Sequence, residues 1–243
     1  MTLTILYGII SGFSLLVGAL AGIIFKLNRK IISVIMAFGA GVLICALTIG
    51  LMENSFTHGG FDAVIIGFLL GGIVYILGDY FIHFLGGRKH KTHQYSHLNK
   101  DASGPAITLG AILDGIPESI ALGISLYNST SLGILMLGAI VISNIPEGLG
   151  SIAGLTKIGY KKWKIIAMWT VVAISMLTVV VLSNIFLHDI ALNTIGILEA
   201  FAGGAILAML ASTMMPDAYE DGGYSVGLVT VLGFLVAFVL SKY

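Results

Sequence analysis

Read by its apolar and polar positions, the chain is a succession of long apolar stretches parted by short polar ones. Eight stretches of roughly 20 residues stand out, near 4 to 25, 31 to 52, 62 to 86, 105 to 127, 131 to 155, 165 to 187, 191 to 215 and 223 to 241. Each is long enough to cross a bilayer as a helix. They use most of the sequence, so one membrane domain, 1–243, is expected, with no linker beyond the polar segment 87–104. The first stretch is too long and apolar for a cleaved signal peptide and lacks a small-residue cleavage pattern, so it is expected to remain as a span.

Composition agrees. With 57% hydrophobic and 10% charged residues over 243 positions and a mean hydropathy of +1.03, there is too little polar surface to coat a soluble domain. The fold class is therefore an all-α membrane protein. Lys26, Arg29 and Lys30 follow the first stretch, Arg88, Lys89, Lys91 and Lys100 the third, and Lys157, Lys161, Lys162 and Lys164 the fifth. The positive-inside bias makes those loops cytoplasmic, and an even number of spans puts both termini outside a cell membrane. Zero net charge and no basic face beyond these flanks argue against a nucleic-acid partner. The lone cysteine, Cys45, lies inside the second span and reads as a small apolar core residue.

The apolar pattern also repeats. Ala37-Phe38-Gly39-Ala40-Gly41-Val42-Leu43 in the second span is echoed by Ala200-Phe201-Ala202-Gly203-Gly204-Ala205-Ile206 in the seventh, and each leads to an acid, Glu53 or Asp217. The two copies run in opposite directions. Spans one to three and six to eight then read as inverted repeats around the fourth and fifth, an architecture that suits transport from a central site. Close packing of small residues explains the same runs equally well. Gly67 with Gly71 and Gly150 with Gly154 have packing spacing.

The chemistry lies in spans four and five. Asp114-Gly-Ile-Pro117-Glu118-Ser119 and Ser143-Asn144-Ile-Pro146-Glu147-Gly148 each set a carboxylate directly after a proline, and neither holds a Lys, Arg or His. One charge at a bilayer centre costs about 2.5 to 3.5 kcal/mol on insertion scales, so such groups need a partner. Asp114 and Glu118 share a helix face one turn apart, as do Ser143 or Asn144 and Glu147. Pro117 and Pro146 lack the N–H that would bond the carbonyls of Leu113 and Ile142, which frees two oxygen donors and bends both helices. The expected ligands are Asp114, Glu118 and Glu147, the amide of Asn144, and the hydroxyl of Ser143 or Ser119. That set is hard and oxygen-rich; it suits magnesium, manganese or ferrous iron, while zinc more often takes imidazole or thiolate. The ion is cargo, not a resident cofactor. Protonation of Asp114 or Glu118 in the empty site would couple transport to pH.

These segments, the Ala-Phe-Ala-Gly-Gly-Ala run leading to Met-Met-Pro216-Asp217, and the His-bearing loop after the third span together resemble the ZIP (Zrt/Irt-like) family of divalent metal transporters. The resemblance covers essentially the whole chain. It implies eight transmembrane helices in a 3+2+3 arrangement with an inverted repeat, both termini outside, and movement of zinc, iron or manganese toward the cytoplasm. The family's fourth span usually reads His-Asn-x-Pro-Glu-Gly, so Glu118 and Glu147 carry over directly, Asp114 stands at the histidine and Gly115 at the asparagine. Ser143 and Asn144 fall where the fifth span often has His or Gln followed by Asn, Asp or Glu. Many members complete a second metal position with a sixth-span acid, whereas this chain has none between Lys164 and His188. One metal position is expected, with a weaker preference for zinc. Binding without turnover, as in a sensor or gate, is the alternative.

Other polar groups have simpler readings. Glu53 and Asp217 end their spans and would line an entrance and an exit, or serve as ordinary interfacial acids. Tyr75, Asp79 and His83 form a stripe on the third span that reads as a helix-to-helix hydrogen-bond cluster or a proton relay. Glu199 near the start of the seventh span is favoured by the helix N-terminus, with no function assigned. His90, His93 and His97 lie in the loop 87–104, where a solvated segment or loose metal holding both fit. Leu77-Gly78-Asp79 is an incomplete fragment of the intramembrane aspartyl protease pattern, because position 76 is isoleucine. With no His-Glu-x-x-His or Gly-x-Ser-x-Gly, little supports hydrolysis and no enzyme activity is expected. Expected partners are the metal ion and the lipid bilayer, with a homodimer left open.

Overall fold

The computed structural model of the protein describes residues 1–25, 28–84, 104–157, 159–187 and 190–242. Among these, every regular element is helical: α1 (Thr2–Ile24), α2 (Arg29–Ala46), α3 (Glu53–Phe84), α4 (Gly104–Asn128), α5 (Thr130–Lys157), α6 (Lys162–Phe186), α7 (Leu192–Met209), α8 (Met215–Gly222) and α9 (Ser225–Leu240). Asn28 starts α2 by accepting a hydrogen bond from the Lys30 N–H at 3.1 Å, which satisfies one of the donors a helix start leaves open. The basic residues of the loop 87–104, its histidines and Lys26 lie outside the described residues.

Six apolar helical stretches of the described residues are long enough to cross a membrane, and α9 is a shorter apolar helix. One of the six, Arg29–Ile82, has 54 residues, more than twice the roughly 20 that one crossing needs. It contains a kink. Gly60 sits at φ 66°, ψ −164° inside α3, a backbone state that side-chain-bearing residues rarely adopt. Gly223 occupies the matching place between α8 and α9, at φ 58°, ψ −146°.

The correspondence between the Ala37 and Ala200 runs extends well beyond their sequence. Both helices loosen into a π-helical segment, Leu47–Met52 after α2 and Leu210–Met214 after α7, at the same distance beyond the repeated motif and before the positive-φ glycine. A π segment shifts the backbone ladder, and nearby polar side chains take up carbonyls of the preceding turn. Thr48 donates to the Ile44 carbonyl, Ser212 to Ala208 and Thr213 to Met209, each at 2.7 Å. Glu53 and Asp217 therefore do not end their helices as expected; the helices run on to Gly60 and Gly222.

Packing is likewise mirrored. α2 lies along α9, and α3 lies along α7. A Cβ at Gly41 would overlap the Thr230 carbonyl, and one at Gly233 would overlap that of Phe38; Gly204 and Gly71 stand in the same relation to Phe68 and Phe201. Missing side chains thus let both pairs of backbones touch, as small residues do between membrane helices. α1 lies against α5 and α6, and α4 packs mainly on α6. The helices fall into two groups, α2, α3, α7, α8 and α9 on one side and α1, α4, α5 and α6 on the other, joined chiefly by α2 against α5 and more lightly by α4 against α7 and α3.

The glycine contacts carry a prediction. Gly41→Val or Gly204→Val should destabilise the protein in detergent by about 1–3 kcal/mol through overpacking. Gly227→Ala, whose added methyl meets nothing within 4 Å, should leave the melting temperature unchanged or raise it slightly. Equal melting temperatures for all three would remove close backbone approach as the basis of the paired helices.

Candidate metal site

The boundary between the two groups holds a narrow cleft. It is lined by Asp114 and Glu118 of α4, Ser143 and Glu147 of α5, Met36 of α2, and Met209, Thr213, Met214 and Asp217 of the stretch from α7 into α8. Both proline-bearing segments therefore reach one place. Pro117 and Pro146 lie inside uninterrupted helices, so the acids that follow them are presented from helix walls and not from loops. The space is about 20 Å³, room for roughly one water-sized guest.

The acids are buried and held. Glu118 is 3% exposed and Asp114 7%, and the carboxyl of Glu118 lies within electrostatic range of both Glu147 and Asp114. Ser143 donates its hydroxyl to Glu118 Oε1 at 3.3 Å and also approaches the Ile140 carbonyl at 2.9 Å. The phenol of Tyr75 donates to Asp114 Oδ1 at 2.5 Å, and Thr213 lies beside it. The hydrogen-bonding reading of the Tyr75 stripe thus holds for its first member, which links α3 to the site. Asp79 is buried, and the side chain of His83 is not described.

Among the described residues, no three His, Cys, Asp or Glu side chains stand close enough to hold an ion as they are. The acids line the same cleft without closing on a common point.

Two expected contributors stand apart. Asn144 is buried, but its amide nitrogen donates to the Ser11 carbonyl of α1 at 3.1 Å, and it does not line the cleft. Glu53 is exposed and does not line it either, whereas Asp217, the acid that follows the second run, does. Ser119 is fully buried, and its hydroxyl finds no hydrogen-bond partner among the described residues. Cys45 is a buried free thiol within the apolar core.

The sequence reading missed the side of the cleft facing the carboxylates. Met36, Met209, Met214 and Thr213 look like ordinary apolar or small membrane residues one at a time. Their signal was positional: Met36 directly precedes the Ala37 run, and the other three follow the Ala200 run into the π segment. α6 contributes nothing to the lining. The place opposite Gly115 is taken by Met176, whose Cγ and Sδ would lie 2.9 and 3.0 Å from a Cβ at that glycine.

Comparison with known proteins bears on the same segments. Over 217 residues the chain is 23% identical to a "putative zinc transporter" of Arabidopsis thaliana, a match that takes in 86% of this chain and 33% of that protein. The chain thus spans about a third of that relative's length. Residues 102–241 match the ZIP zinc transporter family, a region that contains both Ile-Pro-Glu segments, the Ala200 run and Asp217. With more than half of its length so matched, the chain belongs to the ZIP family.

Proposed function

We propose that this protein carries a divalent transition metal, zinc, manganese or ferrous iron, across a membrane toward the cytoplasm through the cleft that α4 and α5 line. The observation that supports this most directly is the meeting of Asp114, Glu118 and Glu147, from two proline-bearing helices, with Asp217 in one buried space the size of an ion. Carboxylates gathered in a low-dielectric region repel one another, and a dication turns that repulsion into coordination. Metal binding would draw the acids inward to a shared point, with Ser143 and the carbonyls freed by Pro117 and Pro146 completing an oxygen-rich shell.

The lining also bears on which metal is taken. Met36, Met209 and Met214 line the cleft together with the carboxylates. Thioether sulfur is a soft donor that suits transition metals better than magnesium or calcium. Aspartate at position 114 replaces the imidazole of the family pattern and favours harder ions than zinc alone. α6 adds no acid, which agrees with one metal position in place of two.

In this reading the chain makes eight crossings arranged 3+2+3. Its support is the pair of positive-φ glycines, Gly60 and Gly223, the paired π segments and the reciprocal glycine contacts. With the basic loops in the cytoplasm and both termini outside, Asp217 lies toward the cytoplasmic end of the helical stretch that runs to Gly222, and Glu53 toward the outer end of the one that runs to Gly60. That Asp217 lines the cleft and Glu53 does not supports reading the conformation as inward-facing. Alternating access from such a midplane site is the familiar use of inverted repeats.

Metal-dependent uptake into proteoliposomes should be saturable, which separates carriage from sensing, and should be abolished by Asp114→Ala or Glu147→Ala but not by Cys45→Ala. Uptake persisting in both acid variants would refute the site. Crystals soaked separately in manganese and zinc should show one anomalous peak, bounded by Asp114, Glu118 and Glu147; two adjacent peaks, or one elsewhere, would overturn the single-site reading. Asp114→His should move the uptake ratio toward zinc and away from manganese, measured by competition with both ions present. An unchanged ratio would remove Asp114 from the selection of metal.

A further inference from the structure

Outside the metal cleft, one ionisable group is wholly enclosed within a membrane helix and has no part in the function above. Glu199 of α7 has 0% of its surface exposed. Its two oxygens are engaged by side chains from two other helices: Asn128 Nδ2 donates to Oε1 at 2.5 Å, and His58 Nδ1 lies 2.9 Å from Oε2. The partners differ in kind of attachment. His58 and Glu199 belong to α3 and α7, whose backbones touch at this level: a Cβ at Gly196 would lie 2.9 Å from the Ser55 carbonyl oxygen, and one at Gly59 would lie 2.6 Å from Asn193 Oδ1. That half is fixed. Asn128 is the last residue of α4, the helix that carries Asp114 and Glu118 and that packs only lightly on α3 and α7.

The bond between Glu199 and Asn128 therefore crosses from one helix group to the other. It does so at the last residue of α4, ten positions beyond Glu118. A small separate apolar cluster, Ile124, Leu187 and Ile195, seals the same end.

We propose that Glu199 is a positioning residue of the transport machinery, a latch that grips the end of α4 through Asn128 and holds the extracytoplasmic side of the pathway shut while the cleft faces the cytoplasm. His58 holds the second carboxylate oxygen and so keeps the first aimed at Asn128. To expose Asp114 and Glu118 to the outer side, α4 must leave α7 at this level, and the Asn128 bond must break first. A buried carboxylate suits the task because its hydrogen bond to a neutral amide is strong in a dry site, yet is replaced at once by water when the mouth opens. This inference rests on the transport reading.

The test is thiol labelling of purified protein in nanodiscs, in a Cys45→Ala background, with a water-soluble maleimide. Ile195→Cys is the reporter in the sealing cluster, and Ile165→Cys, buried near the other end of the protein, reports general loosening. Asn128→Ala and Glu199→Ala should each speed labelling at position 195 by about tenfold, the shift expected from losing one charge-assisted hydrogen bond. The double variant should be no faster than either single one, and labelling at position 165 should not change. Glu199→Gln, which keeps an acceptor for Asn128, should fall between. Asn128 is half-buried at a helix end, so its variant carries the test even where Glu199→Ala fails to fold. Unchanged labelling at position 195 in Asn128→Ala, equal acceleration at both reporters, or additive effects in the double variant would each overturn the latch. Labelling is read without metal flux, so absence of uptake in the native protein would count against the transport reading and leave the latch result separate.

Discussion

Four carboxylates lining one cleft, two of them buried, are the constraint on which the rest of the molecule depends. Each alone costs about 2.5 to 3.5 kcal/mol near a bilayer centre on insertion scales, and bringing them together adds repulsion, about 4 kcal/mol for a pair 4 Å apart at an effective dielectric of 20. Hydrogen bonds from Ser143 to Glu118 and from Tyr75 to Asp114 offset part of this. A doubly charged guest offsets much more. In the proposed function a dication relieves these unfavourable electrostatics, which is a condition for binding an ion and still releasing it.

A cleft under such internal repulsion needs walls that do not spread. The touching backbones supply them: Gly41 under Thr230, Gly233 under Phe38, Gly71 under Phe201 and Gly204 under Phe68 bind α2 to α9 and α3 to α7. On the other side, Gly148 and Gly18 bring α1 and α5 equally close, at the carbonyls of Leu15 and Ile145. The acids of α4 and α5 belong to this second group, while the methionines and Asp217 belong to the first. The ion-sized space lies where the two groups meet, beside the packing of α2 on α5 that joins them.

The two bonds that cross from α4 differ in what they touch. Tyr75 reaches Asp114, a ligand candidate, so its bond competes directly with a metal for the same oxygen. Asn128 reaches Glu199, which no metal in the cleft would contact. Both bonds lie on the side of α4 that faces α3 and α7.

The apolar runs by themselves determined the helical membrane class and nearly all helix positions, because a span must satisfy its backbone internally and can do so only over about 20 apolar residues. The paired Ile-Pro-Glu segments marked Asp114, Glu118 and Glu147, since a carboxylate beside a proline is costly enough in an apolar stretch to stand out. The family pattern was legible for the same reason. Sequence could not tell Asn144 from Ser143: the two are adjacent, and only the packing of α1 against α5 turns the amide of Asn144 to Ser11 and leaves Ser143 to the cleft. Nor could it tell which of Glu53 and Asp217, acids near but not at equivalent positions of the repeat, would line the cleft. Met36, Met209 and Met214 carry no charge to betray them, and Glu199 has partners 71 and 141 positions away in the chain. Distances of that kind are decided by tertiary packing alone, because no local pattern records which side chains two helices bring together.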